Sequence, residues 1–376
     1  MRHRRSGGPR LNHDAIGQAL PAAIVAVFFP ISLIVGLNNK ALLPEKFFYD
    51  SATLRSRMPI GDPSSGDSFI VMGWIYRQLG GMNHYAEVQI AQMAIFAILL
   101  LTCVPWRRLS TFGPLATAGV LYALVSSAVY LAQYSKESLV VVLVLLLRVL
   151  PKHWSMDLAF VGAMAVYAQH IRTYWYIIAG LYLVLRVLLP RLRSMGWLPI
   201  LALVGYVVMA FGLQAVMGQP LSYARDVVSE SRTFSQDAQS AIQNYLPTAN
   251  PVLGGLNAWL TLATLIVPLP LLLSPNPLYL VFCGVTIGLW VGLVLSLRRL
   301  LQAGRLRVDV GLTRAVSMIF ALIFAQALFE PDFGSYLRHS LPTMPLFFLV
   351  LARAQQLPSR RAPLAARSRT EPNHVV

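Results

Sequence analysis

Four stretches carry ionisable residues that an otherwise apolar chain has no local need for. In "QYSKES" (133–138), Lys136 and Glu137 stand side by side between two apolar runs. In "YAQHIRTYWY" (167–176), His170 and Arg172 interrupt two more runs, followed at once by Tyr174, Trp175 and Tyr176. In "FEPDFGSYLRHSLPTMPLF" (329–347), Glu330 and Asp332 precede a glycine turn, and Arg338 and His339 open the last apolar run. The fourth is a long mixed stretch, "EKFFYDSATLRSRMPIGDPSSGDSFIVMGWIYRQLGG" (45–81), whose notable carboxylates are Asp50 and Asp67. Ionisable side chains near membrane depth are expensive to keep, so each is by default a functional-site hypothesis. A carboxylate and an arginine at one helix entrance can hold a polar substrate from two sides, and neighbouring aromatics can supply a stacking face for a sugar ring. Each stretch also has a plainer reading. Lys136 and Glu137 can snorkel to the interface. The aromatics can form an interfacial belt. Asp332 and Arg338 can pair only to fix their loop, and "GDPSSGD" is turn chemistry.

The elements that must position these residues follow from composition. The 376 residues are 56% hydrophobic and 12% charged, with mean hydropathy +0.59. A soluble domain carries about a quarter charged residues, so the class that fits is an all-α polytopic integral membrane protein. Apolar runs fall at 19–37, 88–105, 114–133, 138–150, 157–169, 173–189, 197–217, 277–297, 315–329 and 340–353, which predicts about ten transmembrane helices. The runs at 138–150 and 157–169 are short and must borrow residues from their flanks. The first run follows a basic stretch but lacks a small-residue cleavage site, so it reads as a retained transmembrane helix.

Charge sets the orientation. The net charge of +16 is concentrated in two tails, 1–18 and 354–376, and in "WRR", "RVLPKH", "PRLR" and "RRLLQAGRLR". The positive-inside rule makes these cytoplasmic, with both termini inside. The outward connections are then chiefly 38–87 and 218–254, and they hold most of the acids, including Glu45, Asp62, Glu87, Asp226, Glu230 and Asp237. One segment, 256–280, breaks the alternation. Pro268, Pro270, Pro275 and Pro277 oppose a straight helix, which predicts a re-entrant or interfacial piece inside one helical domain spanning 19–353. Short basic tails without interleaved aromatics do not fit nucleic-acid binding. Cys103 and Cys283 lie in apolar runs, and neither a Walker A sequence nor an HExxH pair is present. No cofactor is therefore expected, and no residue group argues for a divalent metal.

Taken in order, "SKES" at a helix start, the arginine beside aromatics in "HIRTYWY", the proline-rich "LSPNPLY" (273–279) and "DFGSYLRHSLPTMPLF" resemble bacterial membrane polysaccharide polymerases of the Wzy and EpsG type. More loosely, they resemble GT-C glycosyltransferases. The early acidic pair of the GT-C family is not matched, since Asp50 stands alone after "FFY", and a metal-independent reaction is favoured. The resemblance implies an enzyme of the bacterial inner membrane. It would join oligosaccharide repeat units carried on polyprenyl (undecaprenyl) diphosphate at the outer face, in exopolysaccharide, capsule or O-antigen synthesis. Its partners would be membrane lipid, a flippase and a chain-length regulator. The implied diphosphate and sugar ligands are Lys136, Arg172, Arg338, His170, Tyr174 and Asp50. The implied general base is Glu137, Asp332 or Asp67. Three alternatives stay open: a GT-C transferase adding one sugar from a polyprenyl-phosphate donor, a membrane O-acyltransferase using His170, and a polysaccharide-related flippase or other transporter.

Overall fold

The computed structural model describes residues 13–232 and 240–357, and among them every regular element is helical. The basic tails at 1–12 and 358–376, and Asp237, lie outside the described residues. The chain begins with α1 (His13–Leu37), which carries Pro21 and Pro30. The first long connection is itself folded, as α2 (Asn39–Leu42), a 3-10 turn at Glu45–Phe48, α3 (Tyr49–Arg57) and α4 (Ser68–Gln78). Then come α5 (Tyr85–Cys103), α6 (Trp106–Leu109), α7 (Pro114–Tyr130), α8 (Glu137–Val149), α9 (Trp154–His170) and α10 (Trp175–Leu188). Next are α11 (Trp197–Met217), α12 (Tyr223–Arg232), α13 (Pro251–Ile266), α14 (Leu269–Leu272) and α15 (Pro277–Gln302). The chain ends with α16 (Arg305–Val308), α17 (Val310–Phe329), α18 (Phe333–Ser340) and α19 (Met344–Gln355).

Local chemistry explains several starts and stops. The side chains of Asp67, Asn250, Asn276, Asp309 and Asp332 accept backbone N–H groups at the first turns of α4, α13, α15, α17 and α18. Pro114, Pro251 and Pro277 sit in first turns, where a missing N–H costs nothing. Gly218 ends α11 in the left-handed conformation, φ +67°, which a glycine adopts without strain. The expected proline break is present: α13 stops at Ile266, α14 is a single turn, and α15 starts afresh at Pro277.

Five segments are long and apolar enough to cross a membrane: Ala19–Leu37, Tyr85–Cys103, Trp197–Met217, Pro277–Gln302 and Val310–Phe329. The remaining apolar runs are helices of 12 to 17 residues: α7, α8, α9, α10, α13 and α19. α17 is the axis of the bundle. Its most apolar window is 94% buried, whereas those of α1 and α11 are 22% and 17% buried. Outward-facing Val27, Ile34, Val204 and Phe211 make apolar outer walls suited to lipid. α13 docks on α11 through Gly255, where a Cβ would come within 2.8 Å of the Val207 backbone. Only glycine permits that approach.

α4 settles the first connection onto the bundle. Val71, Met72 and Tyr76 are buried, and the Tyr76 hydroxyl donates to the Ser135 carbonyl at 2.8 Å while accepting from the Ser135 N–H at 2.9 Å. The turn before α8 is thereby fixed by a residue about sixty positions upstream.

Candidate functional site

Glu137 begins α8 and is wholly buried. Its backbone N–H donates to the Ser135 hydroxyl at 3.1 Å, and that hydroxyl donates back to Glu137 Oε2 at 2.5 Å. Adjacent residues on a helix point in different directions, and here they diverge. Glu137 turns inward. Lys136 turns toward α4, where its ammonium donates to Ser68 Oγ at 2.7 Å and lies 3.4 Å from the centroid of the Phe69 ring.

Three cationic groups from two other parts of the chain meet the Glu137 carboxylate. Arg172, in the short turn between α9 and α10, donates from Nη2 to Oε1 at 2.6 Å. Arg338 of α18 donates from Nη2 to Oε2 at 2.9 Å, and its Nη1 lies 2.6 Å from Asp50 Oδ2. His339 places Nε2 3.3 Å from Glu137 Oε1 and Nδ1 2.7 Å from Glu330 Oε1. A neutral imidazole has one donor and one acceptor, so two carboxylate oxygens facing both nitrogens favour the imidazolium. Gln326 of α17 supports Glu330, donating at 3.3 Å, and accepts from Ser340 at 3.1 Å. Tyr174 accepts from Arg172 Nη1 at 3.3 Å and stacks on Phe329, ring centroids 5.2 Å apart.

The electrostatics follow from the packing. Burial opposes ionisation of Glu137, but Arg338, Arg172 and the His339 hydrogen bond outweigh it and hold the carboxyl well below the ordinary range. Burial and Arg172 also oppose the charge on His339, yet Glu330 and the bonds to both carboxylates keep its pKa raised. Burial, reinforced by Arg172, pushes the Lys136 ammonium down to about 8 against the pull of Asp50 and Glu137. Exposure differs between Glu137 and its partners. Glu137 is fully enclosed, while the side chains of Arg172, Arg338 and His339 stay 12%, 20% and 18% exposed. An approaching ligand meets the cations, not the carboxylate that holds them. Asp50, its side chain 41% exposed, is the accessible acid of the cluster.

Six of the residues singled out from sequence thus gather in one place: Lys136, Glu137, Arg172, Tyr174, Arg338 and Asp50. Three stand elsewhere. Asp332 caps α18, accepting from Ser335 N at 2.7 Å and Ser335 Oγ at 2.9 Å, while Arg338 reaches across to Glu137 and Asp50. Asp67 caps α4, accepting from Phe69 N at 2.8 Å. His170 is exposed at the end of α9 and joins none of these contacts. Sequence reasoning underweighted His339 and Glu330. Their signal was present, as two more ionisable residues beside Arg338 in an apolar context.

A second buried ionic cluster lies at the opposite end of the bundle. Asp157 of α9 accepts from Arg314 Nε and from the Tyr182 hydroxyl, both at 2.7 Å, with Arg186 Nε 3.3 Å away. Arg314 also donates to the carbonyls of Leu150, Pro151 and His153, tying the turn between α8 and α9 to α17. Its sequence signal was a lone acid among basic connections and a lone cation inside an apolar run. An apolar cleft between α15, α17 and α19, lined by Phe282, Trp290, Ile323, Tyr336 and Phe347, reaches Gln326 and Ser340 at the edge of the first cluster. Comparison with protein-family models, curated proteins and solved structures finds no match for this chain.

Proposed function

We propose that this chain is a membrane glycosyltransferase of the polysaccharide-polymerase kind. In this reading about ten helices cross a bacterial inner membrane, and the Glu137 cluster opens to the outer face. The donor is an oligosaccharide repeat unit on a polyprenyl diphosphate. The observation that carries the proposal is the exposed cationic surface of Arg172, Arg338 and His339, built on a buried carboxylate at one end of an apolar bundle. Guanidinium forks match phosphate oxygens, and a water-poor site strengthens their hold on charge developing at a leaving diphosphate. The helices that meet at the cluster are short. α8 has 13 residues and α10 has 14, about 20 Å each against a hydrocarbon core of about 30 Å. That shortness sinks the site toward the depth at which a lipid-borne diphosphate sits, and the apolar cleft beside Gln326 suits part of its tail.

The roles divide as follows. Each oxygen of Glu137 already accepts from two donors, so it has no lone pair free for a proton. Glu137 is therefore a positioning residue that holds Arg172 and Arg338 side by side. Asp50 commits one oxygen to Arg338 and is open to solvent, which makes it the proton acceptor for the attacking sugar hydroxyl. The hydroxyl oxygen bonds to the anomeric carbon as the carbon–oxygen bond to diphosphate breaks. The electron pair leaves with the diphosphate, the proton goes to Asp50, and the anomeric configuration inverts.

The test is reconstituted full-length protein supplied with lipid diphosphate-linked repeat units, read as a product ladder. Arg172→Ala and Arg338→Ala are each expected to slow elongation by about 10²–10³-fold. Asp50→Asn is expected to be inactive. Asp332→Asn and Asp67→Asn are expected to stay active, because asparagine caps as well as aspartate but takes no proton. Normal ladders from both arginine variants sink the proposal, and a single added sugar in place of a ladder returns the reading to a GT-C transferase.

Lys136 adds a pH signature. Its ammonium is charged below about 8 and neutral above, so the KM for the diphosphate lipid should rise as pH climbs through that value. Lys136→Arg, which does not titrate there, should remove this limb. An unchanged KM profile in Lys136→Arg would exclude Lys136 from diphosphate binding.

A further inference from the structure

The charged clusters mark the two ends of α8 and α17. Glu137 and Glu330 lie at one end, and Arg148, Lys152 and Gly311 at the other. At that other end a small cleft is lined by Leu147, Arg148, Leu150, Lys152, Gly311 and Arg314. Its three cations are not equally satisfied. Arg314 is saturated but for one Nη1 proton, having given its others to Asp157 and three carbonyls. Arg148 and Lys152 form no ion pair with any described residue; Arg148 reaches the neutral Cys103 side chain, and its Nε is buried without a hydrogen-bond partner. The two acids nearby are already engaged. Asp157 faces Arg314 and Arg186, and Asp309 caps α17 and faces Arg353 at 3.6 Å. A buried guanidinium edge without a counter-charge is costly unless an anion completes it.

The space for that anion is kept by Gly311. A Cβ there would lie 3.8 Å from Arg148 Nη1, 4.0 Å from Lys152 Cε and 3.5 Å from Asp309 Oδ1, so the guanidinium, the end of the lysine stem and the already engaged Asp309 carboxylate border a residue with no side chain. The positive end of the α17 dipole adds to the same field. Buried Leu147 and Leu346 back the cleft, and partly exposed Leu150 stands at its edge. Trp154, 46% exposed and carrying Arg186 5.6 Å from its ring centroid, lies at the same end, as an interfacial tryptophan does.

We propose that this cleft binds the phosphate of an anionic phospholipid headgroup. Arg148 and Lys152 grip the phosphate oxygens, Gly311 forms the floor, and Leu150 at the edge meets the first acyl carbons. Basic pockets between helices at a membrane surface are suited to such headgroups. The inference is independent of the reaction proposed above and survives its failure.

The experiment is native mass spectrometry of the full chain in detergent, titrated with phosphatidylglycerol, with phosphatidylcholine or with inorganic phosphate. Variants with unchanged thermal midpoints are compared. The expected result is a saturable phosphatidylglycerol adduct, little phosphatidylcholine, and binding about thirtyfold weaker in Arg148→Gln/Lys152→Gln, two basic contacts being lost. Gly311→Val, which keeps every charge and fills the floor, should lose the same adduct. Arg298→Gln/Arg299→Gln, basic residues outside the cleft, should keep it. Three results overturn the proposal. One is equal binding by wild type and the Arg148/Lys152 variant. The second is equal weakening by the Arg298/Arg299 variant, which is general attraction to basic surface. The third is full displacement of the lipid by inorganic phosphate alone, which makes this a soluble-anion site.

Discussion

Glu137→Gln should destabilise the bundle by about 3–5 kcal/mol, because breaking one partner of a buried ionic group leaves the others uncompensated. Glutamine keeps the size of glutamate but accepts at only one oxygen. Arg172, Arg338 and the His339 imidazolium would then face one another without the charge that holds them, their side chains no more than 20% exposed. Thermal unfolding of detergent-solubilised protein measures this directly. Elongation should be lost as well, even at temperatures where the variant stays folded, because both guanidiniums would drift from their shared anchor. A Glu137→Gln protein that unfolds like wild type would mean that Asp50 and Glu330 alone hold the cations. One that elongates normally would end its assignment as the positioning residue.

Asp157→Asn should be about as destabilising, again about 3–5 kcal/mol, but with a different consequence. Arg314 is 2% exposed and tied to three carbonyls of the turn between α8 and α9. Without Asp157 its charge is stranded between α9 and α17. Arg314→Gln removes the same interaction from the other side, so the double variant Asp157→Asn/Arg314→Gln should cost clearly less than the sum of the two. Additive losses would show that the two residues do not act as a pair. Elongation at permissive temperature should survive, since the stretch of α9 from Asp157 to His170, about 20 Å, separates Asp157 from the arginine turn. The contrast between these variants separates a cluster that holds the fold from one that also presents a surface.

Much of the fold was legible along the chain. Each apolar run corresponds to a helix, and the piece expected at 69–79 is α4, Ser68–Gln78. The prolines from 268 to 277 break the chain where they should. These features depend on neighbours within a turn or two, which is the range that hydropathy, proline and capping chemistry act over. Even the capping roles of Asp332 and Asp67 had a local signal, an aspartate directly before a helical run, which was outweighed by the attraction of a carboxylate near charged residues. Short helices were the weaker case. Only five reach the length that composition alone would read as a crossing, because α8, α9 and α10 are cut short by the turns that carry the ionisable residues.

The sequence by itself determined an apolar helical protein whose ionisable residues survive in a few stretches. It placed Lys136, Glu137, Arg172 and Arg338 among them. Only the tertiary structure decided that Glu137 meets Arg172 across 35 residues and Arg338 across 201, that Lys136 faces α4 instead, and that His170 joins neither. Helix formation is a near-neighbour property, whereas the meeting of charges from α8, the α9–α10 turn and α18 depends on how whole helices pack. That packing also decided which acid stays exposed. The question raised by an adjacent lysine and glutamate was answered by two arginines and a histidine that no local pattern could bring to them.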